Sequence, residues 1–163
     1  MAAGRNGYLL VLGAVVFVAG LMMWAFWPAG TPPRARPYLS FTACLLTDGQ
    51  GIAVAVARPV WDGMSDASLA TRAKVQYLPS VGAVTVDGVR PYLASLVQRH
   101  CDVVVAVGTQ PVAAVAADAS AYPRVRFAVV GGASRPNVTA LDAGPAPAVR
   151  ARVDAWVRAE VGR

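Results

Sequence analysis

The chain has 163 residues, 56% of them hydrophobic and only 15% charged, with a formal net charge of +6 and a pI near 10.0. That is room for one domain plus an N-terminal segment, and enough apolar residues for a core that needs no metal to hold it. Arg5, Arg34 and Arg36 carry half of the excess charge. From residue 38 onward twelve basic residues face nine acidic ones, with no basic run interleaved with aromatics, so the composition argues against a nucleic-acid partner.

Residues 8–27, YLLVLGAVVFVAGLMMWAFW, hold no charge. As a helix they span about 30 Å, the thickness of a bilayer core. Tyr8 stands at one end and Trp24 and Trp27 at the other, where interfacial aromatics belong. Residues 1–27 are therefore expected to be a membrane anchor or a signal. The small residues of a cleavage site are poorly placed after the apolar run, which favours an uncleaved single-pass anchor. No Cys follows closely enough for lipoprotein processing. Residues 28–37, PAGTPPRARP, form a stiff extended spacer.

From Tyr38 the pattern becomes regular. Residues 38–47 are a mostly apolar run that suits a strand buried on both faces, and a helix starts near Pro59 and runs to about residue 69. Residues 73–79 read as a short strand. Residues 85–99 read as a helix in which Pro91 marks either a kink or the true start. Residues 102–108 form a buried strand. A helix capped by Thr109 or Gln110 then runs to about Ala121. Residues 124–132 and 137–141 are strands, and residues 147–162 close the chain as an amphipathic helix with an Asp154–Arg158 pair. Strands alternating with helices predict an α/β fold: a single doubly wound lobe over residues 38–163, with a parallel sheet in the order 2-1-3-4-5 flanked by helices.

In such a sheet ligands bind beyond the carboxyl ends of the strands, at the switch point. The candidates there are Asp48, Gly49 and Gly51 after the first strand, Gly108 and Thr109 after the third, and Gly131-Gly132 after the fourth. Asp48 and Thr109 can hydrogen-bond a ligand, and the glycines permit close approach. The same residue types also serve plain strand-to-helix turns, and both readings stand.

Catalytic and metal signatures are missing. Gly49-Gln50-Gly51 lacks the third glycine of a dinucleotide fingerprint, and no phosphate loop occurs. His100, the sole histidine, has no partner pattern for a metal or a triad and reads as a helix-end residue. The serines lack a nucleophile-elbow context. The expectation is no enzyme, no cofactor and no metal. Cys44 and Cys101 should lie on neighbouring strands. A disulfide and two buried free thiols are the alternatives, because aligning the strands offsets the cysteines by about three residues, or ~10 Å. That exceeds disulfide reach unless the chain curls back at His100. Asn137-Val138-Thr139 matches a glycosylation sequon.

Ala43-Cys44-Leu45-Leu46-Thr47-Asp48-Gly49, followed by Gly51-Ile52 and Trp61-Asp62-Gly63-Met64, resembles the start of the BMP (basic membrane protein, PnrA-like) family of ABC-transporter substrate-binding proteins. Cys101 to Gly108, Tyr122 to Ala128 and Asn137-Val138 are similar to later pieces of that family, in the same order over about residues 40–142. The resemblance implies one lobe of a type I periplasmic-binding fold, a nucleoside-like ligand and an ABC permease partner. Three departures accompany it. The chain has about half the family's length, so a second lobe is missing. The ligand-contacting stretch between Gly51 and Trp61 is replaced by Ala53-Val54-Ala55-Val56-Ala57. No lipoprotein Cys is present. Only Asp48 transfers as a ligand contact.

Two functions follow. One is a membrane-anchored extracytoplasmic solute-binding module, associated with an ABC permease or completed by a second copy of itself. The alternative is a degenerate interaction or structural protein displayed at the cell surface.

Overall fold

The computed structural model describes residue 13 and residues 15–23 and 37–163. Residues 13 and 15–23 are helical and exposed. The remainder of the expected 8–27 helix and residues 28–36 of the spacer lie outside the described residues. Among the described residues no helix is long and apolar enough to cross a membrane. The chain divides into two compact units, Met1–Ala35 and Arg36–Arg163.

The second unit is a five-stranded parallel sheet in the expected order, β2-β1-β3-β4-β5. In chain order its elements are β1 (Thr42–Asp48), α1 (Arg58–Thr71), β2 (Lys74–Ser80), α2 (Val86–Gln98), β3 (Val103–Ala106), α3 (Thr109–Asp118), β4 (Arg126–Val130), β5 (Val138–Leu141) and α4 (Ala146–Val161). Single turns of 3-10 helix at Gly51–Ala53 and Ala119–Ala121 follow β1 and α3.

The central strands are apolar because both of their faces are covered. All four residues of β3 and the five middle residues of β1 are buried. Alternate residues feed two separate layers. Cys44, Leu46, Val104, Ala106 and Phe127 pack with Val89, Leu93 and Leu96 of α2 and Val115 of α3. Ala43, Leu45, Val103, Val105 and Ala128 pack with Val60 and Met64 of α1 and Val153 and Val157 of α4. Each fully buried Val, Leu or Phe contributes about 1.5–3 kcal/mol of transfer free energy. The edges differ. β2 is half exposed and tolerates Pro79, as an edge strand can, and β5 is only four residues long.

Two expectations are refined and a third is met. Thr85 caps α2, its hydroxyl accepting from the Gly88 N–H at 3.2 Å, and Pro91 lies inside the helix rather than at its start. The carbonyl that Pro91 leaves without a helical partner belongs to Asp87, in the first turn. The N-cap of α3 is Gly108 rather than Thr109 or Gln110, with no side-chain cap, so that Thr109 becomes the first helical residue. The Asp154–Arg158 pair forms at 2.6 Å.

Cys44 and Cys101 are joined as a disulfide, with Cα atoms 5.9 Å apart. The register pairs Cys44 with Val104, so the three-residue offset is real. It is closed by the curl at His100, which adopts a left-handed φ of 58° while the Cys101 N–H donates to the Leu96 carbonyl at 3.3 Å. The free-thiol alternative is thereby set aside. The Gln76 Nε2 group donates to both sulfurs, at 3.1 and 3.5 Å.

Candidate functional site

The chain winds from β1 to β2 on one side, then returns past β1 to β3. The switch point therefore lies between the carboxyl ends of β1 and β3. β1 delivers Asp48 there. Its neighbour Thr47 is buried, and the Thr47 carbonyl accepts from the Ser80 hydroxyl at 2.9 Å, which fixes the end of the strand. β3 delivers Gly108 at φ 102°, a conformation that glycine adopts and side-chain-bearing residues avoid. The Asp48 carboxylate occupies the space that a Cβ on residue 108 would need. Asp48 is thus seated on bare backbone at the N-terminus of α3.

That position has an electrostatic logic. The first N–H groups of a helix lack intrahelical partners and carry partial positive charge. The protein's own Asp48 carboxylate lies beside this terminus, next to the Cα of Gly108, without capping the helix. A phosphate or carboxylate ligand would meet Asp48 as a like charge, whereas a hydroxyl or amine would find an acceptor. Beside Asp48 opens a shallow hollow of about 500 Å³, bounded by Val56, Gly108, Thr109, Val130, Gly131 and Ala143. Its walls are largely apolar, with few polar groups to orient a ligand.

Of the seven residues singled out from the sequence, four meet at this hollow: Asp48, Gly108, Thr109 and Gly131. Gly49 and Gly51 point elsewhere. A Cβ at Gly49 would lie 3.4 Å from the Ser80 carbonyl, and one at Gly51 (φ 67°) would face Tyr77 and Pro79, so both glycines pack the β1 turn against β2. Val56, Val130 and Ala143 were not legible as lining residues. They are ordinary aliphatics that only the fold brings together.

Elsewhere, Asn137 is committed to the scaffold. Its amide donates to the carbonyls of Ala119, Tyr122 and Val125 at 2.7, 3.3 and 3.4 Å, which leaves the sequon asparagine engaged. His100 is exposed at the helix-end turn. Among the described residues no group of three or more His, Cys, Asp or Glu is placed to hold a metal ion. Glu160, almost fully buried, is bridged by Arg126 and Arg163.

No family model matches the chain. No curated protein matches it in sequence. Solved structures do resemble it. A fragment described as a "putative lipoprotein" from Peptoclostridium difficile 630 superposes with a TM-score of 0.61 at 14% identity, over 76% of this chain and 99% of that one. An ABC transporter system solute-binding protein from Aeropyrum pernix K1 superposes with a TM-score of 0.52 at 19% identity, over 61% of this chain and 28% of that one. At such identities the likeness is one of fold: the unit Arg36–Arg163 shares a parallel α/β architecture with that fragment and with part of that solute-binding protein.

Proposed function

We propose that the chain is an extracytoplasmic solute-binding lobe of BMP-like type, anchored through residues 8–27, which takes a small hydroxyl-bearing ligand of the nucleoside class at the hollow beside Asp48. The observation that carries this reading is the Asp48 carboxylate seated on Gly108 at the switch point. There it offers acceptor oxygens to ligand hydroxyls while its charge disfavours anions. The Cys44–Cys101 disulfide supports an oxidising compartment. The likeness to a lipoprotein fragment and to an ABC transporter solute-binding protein fits a place at the cell surface and an ABC permease partner. The hollow is open, so useful affinity requires a second body to cover the ligand, either another copy of this lobe or a partner chain. Binding rather than catalysis is the proposed role.

The test is thermal unfolding of the full chain against nucleosides, sugars and amino acids. A ligand present at a hundred times its Kd adds ~2.7 kcal/mol of stability. The expected result is a clear upward shift for nucleosides, measured from each protein's own unliganded Tm, that Asp48→Asn removes. No shift for any class at high concentration would sink the small-molecule reading.

One observation favours the alternative of a surface-displayed interaction protein. The Ala53–Ala57 stretch leaves Val56 60% exposed, and Val81 and Val84, at 62% and 81%, are exposed in the loop after β2. Apolar side chains in the loops at the carboxyl end of the sheet suit protein contact as well as ligand contact. A lobe that ignores the whole panel yet self-associates through these valines would favour this second role.

A further inference from the structure

The twelve cations of residues 38–163 are scattered in sequence but not in space. Arg58, Arg90, Arg126, Arg150, Arg158 and Arg163 each have a carboxylate partner. Among the described residues six do not: Arg72, Lys74, Arg99, Arg124, Arg135 and Arg152. Five of these six lie at one place, the amino end of the sheet. Arg72 caps α1 and Lys74 opens β2, in register with Thr42 at the start of β1. Arg99 closes α2 ahead of β3. Arg124 lies two residues before β4, and Arg135 bridges to Val138 at the start of β5. All five are exposed. The acids nearby cancel them only in part. Asp102, exposed just before β3, offsets one of the five while accepting from the Thr42 N–H at 2.7 Å, and Glu160 is buried between Arg126 and Arg163.

Part of this pattern serves the scaffold, since a cation at a helix C-terminus complements the helix dipole. That accounts for Arg72 and Arg99. It does not account for Lys74, Arg124 and Arg135, which stand at strand starts. The chain also enters the unit at this edge: the Leu39 N–H donates to the Arg72 carbonyl at 2.9 Å, and Tyr38 beside it is exposed. Ten spacer residues, reaching at most about 30 Å in extended form, separate this edge from the apolar stretch that the proposed function takes as the anchor.

We propose that the amino-end face of the sheet docks on an anionic lipid surface through Arg72, Lys74, Arg99, Arg124 and Arg135, which turns the carboxyl-end hollow away from the bilayer. The proposal rests on the anchored reading only for the tether that brings this face within reach of the membrane. Each Lys or Arg near an anionic surface strengthens such docking roughly five-fold, and the attraction fades beyond a Debye length of about 8 Å at physiological salt.

The full chain is tested on vesicles of phosphatidylcholine alone and of phosphatidylcholine with about one-third phosphatidylglycerol. A fluorophore is placed through Ser120→Cys at the amino end or through Val84→Cys at the carboxyl end, and headgroup-bound quenchers report lipid contact. The expected result is quenching of the Ser120 label on anionic vesicles at low salt, lost at about 0.5 M salt, where the Debye length shrinks. The Val84 label stays unquenched. Arg99→Gln/Arg124→Gln/Arg135→Gln lowers the docked-to-undocked ratio roughly a hundredfold, and Arg152→Gln leaves it unchanged. If the triple variant fails to fold, the salt response of the unaltered protein still decides. Quenching that ignores lipid charge and salt, or that is equal at both labels, overturns the proposal. So does tighter binding of the face to a short single-stranded oligonucleotide than to the anionic vesicles. Flotation separates the two readings. A chain that leaves neutral vesicles at high salt but keeps the salt-sensitive Ser120 contact on anionic ones has lost the anchor and kept the docking face.

Discussion

Both helix layers pack on the sheet through apolar clusters, but the α2 side adds a covalent bond at the turn into β3 and one large aromatic, whereas the α1 and α4 side adds a close helix–helix approach and an exposed ion pair. On the first side the Cys44–Cys101 disulfide ties β1 to the turn before β3, beneath a cluster that includes Phe127, the largest fully buried side chain. On the second side Gly63 of α1 meets the Arg150 carbonyl of α4, and Arg150 donates two hydrogen bonds to Asp66, at 2.5 and 2.8 Å. Two layers of similar apolar content can thus depend on different interactions, and they should fail under different insults.

The largest expected effect sharpens the contrast. Cys44→Ser/Cys101→Ser frees a loop with a sequence separation of 57, for which chain entropy predicts a loss of about 4 kcal/mol. Denaturant unfolding of the oxidised protein and of the variant measures it; a loss below about 1 kcal/mol would show that local packing alone holds this layer. An intermediate effect is expected on the other side. A methyl at Gly63 would strike the Arg150 carbonyl and come within 3.1 Å of the Val153 Cβ. Gly63→Ala should therefore cost about 1–3 kcal/mol by overpacking, despite its better helix propensity. A stabilised Gly63→Ala would mean that the α1–α4 contact yields freely.

The smallest effect concerns the ion pair. The hydrogen bond from Arg150 holds the Asp66 carboxyl below its ordinary value of 3.8, against the opposing desolvation, and Asp66 in turn raises Arg150. Because the folded value is depressed, the stability that this pair adds is present above the ordinary carboxylate range and is lost as pH falls through the lowered folded value. Both groups are solvent-exposed, so Asp66→Asn should lower Tm only slightly at neutral pH, and the difference from the unaltered protein should vanish in strong acid. A pH-independent difference would point to packing instead of charge.

Strand order was legible because apolar runs, helical stripes and glycine turns alternate with little ambiguity, and right-handed crossovers leave few arrangements. The disulfide was harder to read. Strand spacing argued against it, and the outcome turned on a left-handed backbone at His100, a conformation that histidine adopts more often than most residues but that the sequence does not dictate. Site residues divided for a similar reason. Asp48, Gly49 and Gly51 are neighbours in sequence, but the turn after β1 sends the glycines toward β2 and leaves Asp48 facing Gly108. The basic edge was invisible as a pattern. Its cations are spread from residue 72 to residue 135. In a parallel α/β fold each helix ends where the next strand begins, so cations from separate connections collect along one rim.

The Gln76 amide over both sulfurs has a practical consequence. Cys44 and Cys101 are 0% and 3% exposed. A small reductant must therefore wait for the β1–β2 region to open before it can attack. Under conditions where the folded state persists, the rate of thiol appearance becomes a clock for that opening, counting local excursions that global denaturation curves average away.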